Sequence, residues 1–408
     1  MRLVLIISIF LLTNQLHSQS YFLQDGSLAY DSSTTSLINM GGQRVDQSNA
    51  ISRDMIGNLA FGGHISDGEK DLVRDRLNGQ NYYGGDLSTS LTYTLFRHQK
   101  DHGWSLSYQY KNLNSLAFSD DLFTVFFYGN NEFLENPAIL GENSLKIHSY
   151  QSLSLGWVNR KSGSNIRLGI YDNRSFSEID ITEAKLTTEL NSSGEHNFAE
   201  EITLQAGSYS SRQATGQMLF SSGVGFGFSG EYAFQIDGSK FILGVEDLGA
   251  MYVNNLEESD TSGVFEYRGF NWEIGSGSPL NDVFNSLEDS LSPSVREASS
   301  WVLLPALFNV SYISPDFGRF YVRADANYRI KIGFRPELGI ALNYRFNKDN
   351  SFWVRPNVGG FSDFSVGLGT QVNVFEKTLM RVGSNHLFGL VSGQGRASSI
   401  FIQIIQRI

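Results

Sequence analysis

The sequence predicts an all-β chain that closes into a transmembrane antiparallel up-and-down β-barrel. Three observations predict it. An export signal opens the chain, no later apolar run is long enough for a membrane helix, and strand-length segments alternate between an uncharged apolar face and a polar face.

The signal occupies residues 1–18. Arg2 supplies the positive start, Leu3 to Leu12 the apolar centre, and Ser18 a small residue before the expected cleavage site. About ten apolar residues cannot cross a hydrocarbon core that needs roughly 20 in a helix. The chain has no cysteine, which excludes both a lipid-anchoring cysteine and a disulfide framework. A net charge of −11 argues against nucleic acid as a partner. Aromatic residues make up 13% while mean hydropathy is only −0.20, the average expected of a wall with one lipid face and one wet face.

Alternation begins clearly at Asp86. Leu87, Leu91, Tyr93 and Leu95 oppose Ser88, Ser90, Thr92 and Thr94; after a polar turn, Trp104, Leu106, Tyr108 and Tyr110 oppose Ser105, Ser107 and Gln109. This reads as a hairpin. In the C-terminal third, Phe320, Val322, Ala324, Ala326, Tyr328 and Ile330 share a charge-free face, as do Leu338, Ile340, Leu342, Tyr344 and Phe346. Arg319, Arg323, Asp325, Arg329, Arg335, Glu337, Arg345 and Arg355 fall on the opposite face and are the candidate lumen-facing polar residues. Counting such segments gives about fourteen strands, within roughly twelve to sixteen. Residues 86–408 are thus expected to form the barrel. Insertions are expected at 112–144 and 256–298, the second holding a helical pattern at Asn281–Leu291. Residues 19–85 read as an irregular segment, periplasmic or luminal.

Several short patterns resemble chemistry. Gly225 to Gly230 spells G-x-G-x-x-G, but it lies inside a strand pattern rather than between a strand and a helix. His98 and His102 are four apart, yet they sit in a turn and lack a third ligand. No G-x-S-x-G elbow occurs. No catalytic, cofactor or metal site is expected. The arginine-rich face keeps two readings open. It lines a partly cationic channel or an anion-docking lumen, or else its charges satisfy one another, as Arg323 with Asp325 and Arg335 with Glu337 would, and fill the barrel.

From Asp120 onward the chain resembles a family of Bacteroidota outer-membrane β-barrels catalogued as a domain of unknown function. The resemblance rests on Tyr128–Leu140, His148–Trp157, Gly223–Phe234, Gly244–Val253 with its Asp247-Leu248-Gly249, Ser299–Ile313 and Val382–Gly393, in that order. It implies an outer-membrane location and a barrel fold, and no activity. The expected partners are outer-membrane lipid, the barrel-assembly machinery and envelope proteins. The expected function is passive or ligand-selective transport across the outer membrane; the alternative is a structural or docking barrel with a plugged lumen.

Overall fold

A computed structural model describes residues 35–96, 100–134, 136–189, 201–215, 220–267, 294–347 and 349–408. The expected signal peptide and the helical pattern at 281–291 lie outside the described residues. The strands are β1 (Ser36–Ser48), β2 (Gln80–Phe96), β3 (His102–Ser119), β4 (Ala138–Ile139), β5 (Asn143–Asn159), β6 (Asn165–Glu189), β7 (Glu201–Thr215), β8 (Gly223–Ile236) and β9 (Ser239–Tyr267). They continue with β10 (Ser294–Leu303), β11 (Leu307–Ile313), β12 (Phe320–Arg329), β13 (Arg335–Arg345), β14 (Ser351–Gly360), β15 (Ser362–Phe375), β16 (Thr378–Ser384) and β17 (Ala397–Arg407).

These strands occupy fourteen positions around a closed antiparallel barrel. β4 lies on β6 as a continuation of β5. β7 and β8 share one place on β6, and β10 and β11 share one place on β9. Pro305 lies in the break between β10 and β11, where it supplies no N–H for a ladder. β1 closes the ring, pairing Leu37 with Arg407 of β17 on one side and Ser36 with Leu95 of β2 on the other.

That closure corrects the reading of residues 19–85 as irregular. Residues 36–48 are a wall strand, followed by α1 (Arg53–Phe61) and α2 (Asp67–Arg74). The pattern of β1 hides its role: inward Leu37 and Val45 are apolar, outward Arg44 and Asp46 are charged, and Gly41 and Gly42 interrupt both faces. The expected insertions also shrink. β3 runs to Ser119 and β5 starts at Asn143, so only 120–142 is inserted, with Asp120–Tyr128 forming α3. β9 runs to Tyr267 and β10 starts at Ser294. In both places the strands outrun the lipid-type band, so the outward face loses the apolar residues that mark alternation; Asn112 and Asn114 follow Tyr108 and Tyr110.

The two ends differ. Connections 97–101, 160–164, 237–238, 314–319, 346–350 and 376–377 lie at the end that holds Ser36 and Arg407. The other end carries 49–79, 120–134, 136–142, 330–334, Phe361 and 385–396, which includes α4 (Leu387–Val391), together with the ends of β6 and β9. These are the short-turn end and the long-loop end. At the long-loop end α1, α2 and α3 share an apolar cluster of Met55, Val73 and Phe123 with Phe118, on the outward-facing row of β3. Ser52, Ser66 and Ser119 cap the three helices, Ser66 through a reciprocal box with Glu69.

The outward face is apolar over its middle: Leu168 is 68% exposed, Phe226 64% and Ile340 58%. Near the short-turn end it carries an aromatic band, with Phe234 stacked on Phe241 at 5.4 Å and the pairs Phe241–Tyr312 and Phe320–Tyr344 meeting at a tilt. The inward face is buried and largely polar. This inversion of a soluble protein's polarity suits a wall solvated by lipid.

Candidate functional site

The lumen is the candidate site, and its centre is Asp247. β9 bulges there, with a register shift against β8 between Phe228 and Gly230, and Asp247 takes φ +56. The left-handed backbone turns two consecutive side chains, Glu246 and Asp247, into the interior. Lys111 of β3 meets both, Nζ lying 2.5 Å from Asp247 Oδ2 and 3.0 Å from Glu246 Oε1. Tyr150 of β5 donates to Asp247 Oδ2 at 2.8 Å, Tyr171 of β6 donates to Oδ1 at 2.9 Å, and the Asp247 N–H donates to Ser229 Oγ of β8. Side chains of three strands thus converge on one carboxylate with no solvent exposure, and a fourth strand holds its backbone N–H.

Leu113, Phe176, Met251, Val253, Leu256 and Leu304 pack with Tyr150 and Tyr171 into an apolar cluster inside the barrel. A second bridge spans the lumen. Lys331, in the turn after β12, pairs with Asp86 of β2, seven of fourteen positions away. That turn folds inward at Gly333 (φ +70), where a Cβ would collide with the Tyr82 ring. Phe361, between β14 and β15, fills the space left by Gly84 and meets Phe334 edge-on.

The eight residues singled out from the sequence separate by height. Arg323, Asp325, Arg329, Glu337 and Arg355 are buried in the lumen. Arg323 Nε lies 2.7 Å from Asp325 Oδ1, and Arg355, with no exposure, sits 3.7 Å from Asp325 and 3.9 Å from Glu337. Arg329 donates to the Pro305 carbonyl. The other three lie at the rims. Arg319 is exposed beside Tyr344, Arg345 pairs with Asp316, and Arg335 pairs with Asp363 rather than with Glu337. Alternation set their facing and could not set their height. Sequence reasoning missed Lys111, Asp86, Asp247, Lys331, Tyr150 and Tyr171. For Lys111 the signal was present, since it continues the inward row of Ser105, Ser107 and Gln109.

Beyond the apolar band, β5, β6, β7, β9 and β10 extend together at the long-loop end. Their inward face carries a charge ladder of directly opposed residues: Lys146, Glu178, Arg212, Glu258 and Arg296. Lys146 pairs with Glu178, and Glu258 lies 3.1 Å from both Arg212 and Arg296. Glu258→Gln is expected to weaken this extension by about 0.5–1 kcal/mol, less at high salt because the pairs are partly exposed. Amide hydrogen exchange of β9 and β10 at two salt concentrations checks it.

A cavity of about 870 Å³ opens at the same end, lined among others by Gln80, Asp121, Glu142, Glu183 and Lys185. Among the described residues no three His, Cys, Asp or Glu side chains are grouped to hold a metal. His98 lies outside those residues, and His102 stacks on Trp157. Gly225 to Gly230 lies within β8, where Gly225 and Gly227 make room for Met251 and Tyr171, a packing role.

Fold and lumen together define a closed antiparallel β-barrel of the outer-membrane class with a buried, largely polar interior. The chain belongs to the family of unknown function DUF5723, which it matches over residues 38–380. Comparison with curated proteins finds no match. Among solved structures the chain is similar to the Pseudomonas putida toluene transporter TodX (10% identity, 95% of this chain and 92% of that one, TM-score 0.41). It is similar also to the Ralstonia pickettii toluene transporter TbuX (9% identity, 92% and 90%, TM-score 0.42) and to a Pseudomonas aeruginosa FadL homologue (11% identity, 91% and 89%, TM-score 0.41). Similarity at that level bears on neither ligand nor mechanism.

Proposed function

We propose that the protein is an integral outer-membrane barrel that does not conduct solute at rest and serves the envelope as a docking or structural barrel. The observation that carries this reading is the lumen: Lys111, Asp247, Arg329 and Arg355 come from opposed stretches of wall, yet water reaches none of them appreciably. An open pore of fourteen strands would leave such residues wet. On this reading the closure comes from strand side chains and from turns folded inward, as where Lys331 meets Asp86 and Phe361 fills the space at Gly84.

Short turns face the periplasm and long loops the exterior in barrels of this kind. The ladder-bearing extension and the three helices would then stand on the outer side, where an envelope partner would meet them. Outer-membrane lipid covers the apolar band, and insertion would use the barrel-assembly machinery. Ligand-selective transport is the second reading, favoured by the cavity at the long-loop end.

Fractionation and liposome swelling test the first reading. The expected result is a heat-modifiable band in the outer membrane and no swelling with small sugars. Recovery in a soluble fraction would contradict the location, and swelling at a porin-like rate would contradict the closed lumen.

A further inference from the structure

We propose that His386 is a proton-operated latch at the long-loop mouth: neutral, it ties the β16–β17 segment and the β14–β15 turn to the wall, and protonation undoes the tie. The hydrogen bonds specify the neutral ring. The Phe361 N–H donates to Gln47 Oε1 at 2.9 Å. That fixes the amide and turns Gln47 Nε2 toward His386 Nε2, 2.7 Å away. An amide nitrogen only donates, so His386 Nε2 must accept and carries no proton. The ring proton is therefore on Nδ1 and is donated to Ser365 Oγ at 2.8 Å. The His386 N–H is held by Ser384 and Ser399.

A proton added to Nε2 would set two donors head to head across 2.7 Å. The clash is relieved when the Gln47 amide turns its Oε1 to the new donor, and that takes the acceptor away from the Phe361 N–H. The groups facing the ring are mixed. β14 presents Arg355, which repels an imidazolium; β13 presents Glu337 beyond Gln47; β1, β15 and β17 present only Gln47, Ser365 and Ser399. Burial, with Arg355 behind it, pushes His386 from 6.5 down to about 3.

The sign follows from linkage. The closed form binds the proton more weakly than the opened form, so the latch is at full strength above about pH 6.5 and loses strength as pH falls toward 3. Within that window the opened-to-closed ratio rises about tenfold per pH unit. What opens is the inward turn, because Phe361, seated against Gly84 and Phe334, is the backbone partner of Gln47.

The chain contains no cysteine, so Ser362→Cys places a single thiol beside Phe361 at a buried position. Its modification by a membrane-impermeant methanethiosulfonate is measured in liposomes and normalised at each pH to the unfolded protein. The expected rate rises about tenfold from pH 6 to pH 5 and stays flat in His386→Gln. No rise in the parent, or the same rise in His386→Gln, overturns the latch. Should His386→Gln fail to insert, Gln47→Glu decides: its carboxylate accepts from a protonated Nε2, so the rise is expected to vanish, and its persistence overturns the proposal. Nitrogen NMR of the ring at pH 7.5 is expected to show the Nδ1–H tautomer; the Nε2–H tautomer would overturn it.

Discussion

Lys111→Met is expected to be the most damaging single substitution in the lumen, costing about 3–5 kcal/mol. Methionine matches the length of lysine and keeps the packing, so the loss is of charge and donors alone. It would leave Glu246 and Asp247, both buried and adjacent, without the ammonium that neutralises them. Urea titration of the heat-modifiable band in lipid vesicles measures the change. Asp247→Asn is expected to cost less, about 1–3 kcal/mol. Asparagine tolerates a φ of +56, and its carbonyl still accepts from one tyrosine. It also leaves Lys111 its contact with Glu246. The order of the two substitutions is the informative quantity: equal, small losses would mean that the node is wet and its charges are solvated.

The second large effect concerns the outward face. Ile340→Arg is expected to cost about 2–4 kcal/mol if β13 crosses the lipid midplane near that residue. Ile340 lies between Leu338 and Leu342 on the uncharged row and is among the most exposed apolar side chains. In water, the same change at an exposed strand position would be nearly neutral. The comparison of refolding in vesicles therefore separates a lipid-facing wall from a water-facing one. Wild-type refolding of Ile340→Arg would remove lipid from the account of this face.

Much of the wall was legible because its uncharged outward face follows a strict rule. β12 to β15 alternate without exception where they cross the apolar band, and the facing of Arg323, Asp325, Arg329, Glu337 and Arg355 follows from parity alone. Parity says nothing of height, which is why Arg319, Arg335 and Arg345 lie at the rims. It fails wherever the rule is relaxed. β1 carries charge on its outward row near the long-loop end, and β3, β5 and β9 leave the band partway along their length. The bulge at Asp247 is the sharpest case, since two neighbouring residues facing one side cannot be written in a period of two. Asp247-Leu248-Gly249 stands out in the sequence, but the partners that make it a node come from β3, β5, β6 and β8. The sequence alone keeps the lumen open to two readings, a channel or a filled barrel, because the filling depends on contacts between strands far apart in sequence, such as Lys331 with Asp86.

On the proposed function, this wall closes its own lumen. Planar-bilayer recording of the purified full chain at neutral pH checks this. The expected record is silent for the wild type at moderate voltage, because Lys111 with Asp247 and Lys331 with Asp86 bridge the interior. A steady, voltage-independent conductance from the wild-type protein would contradict it.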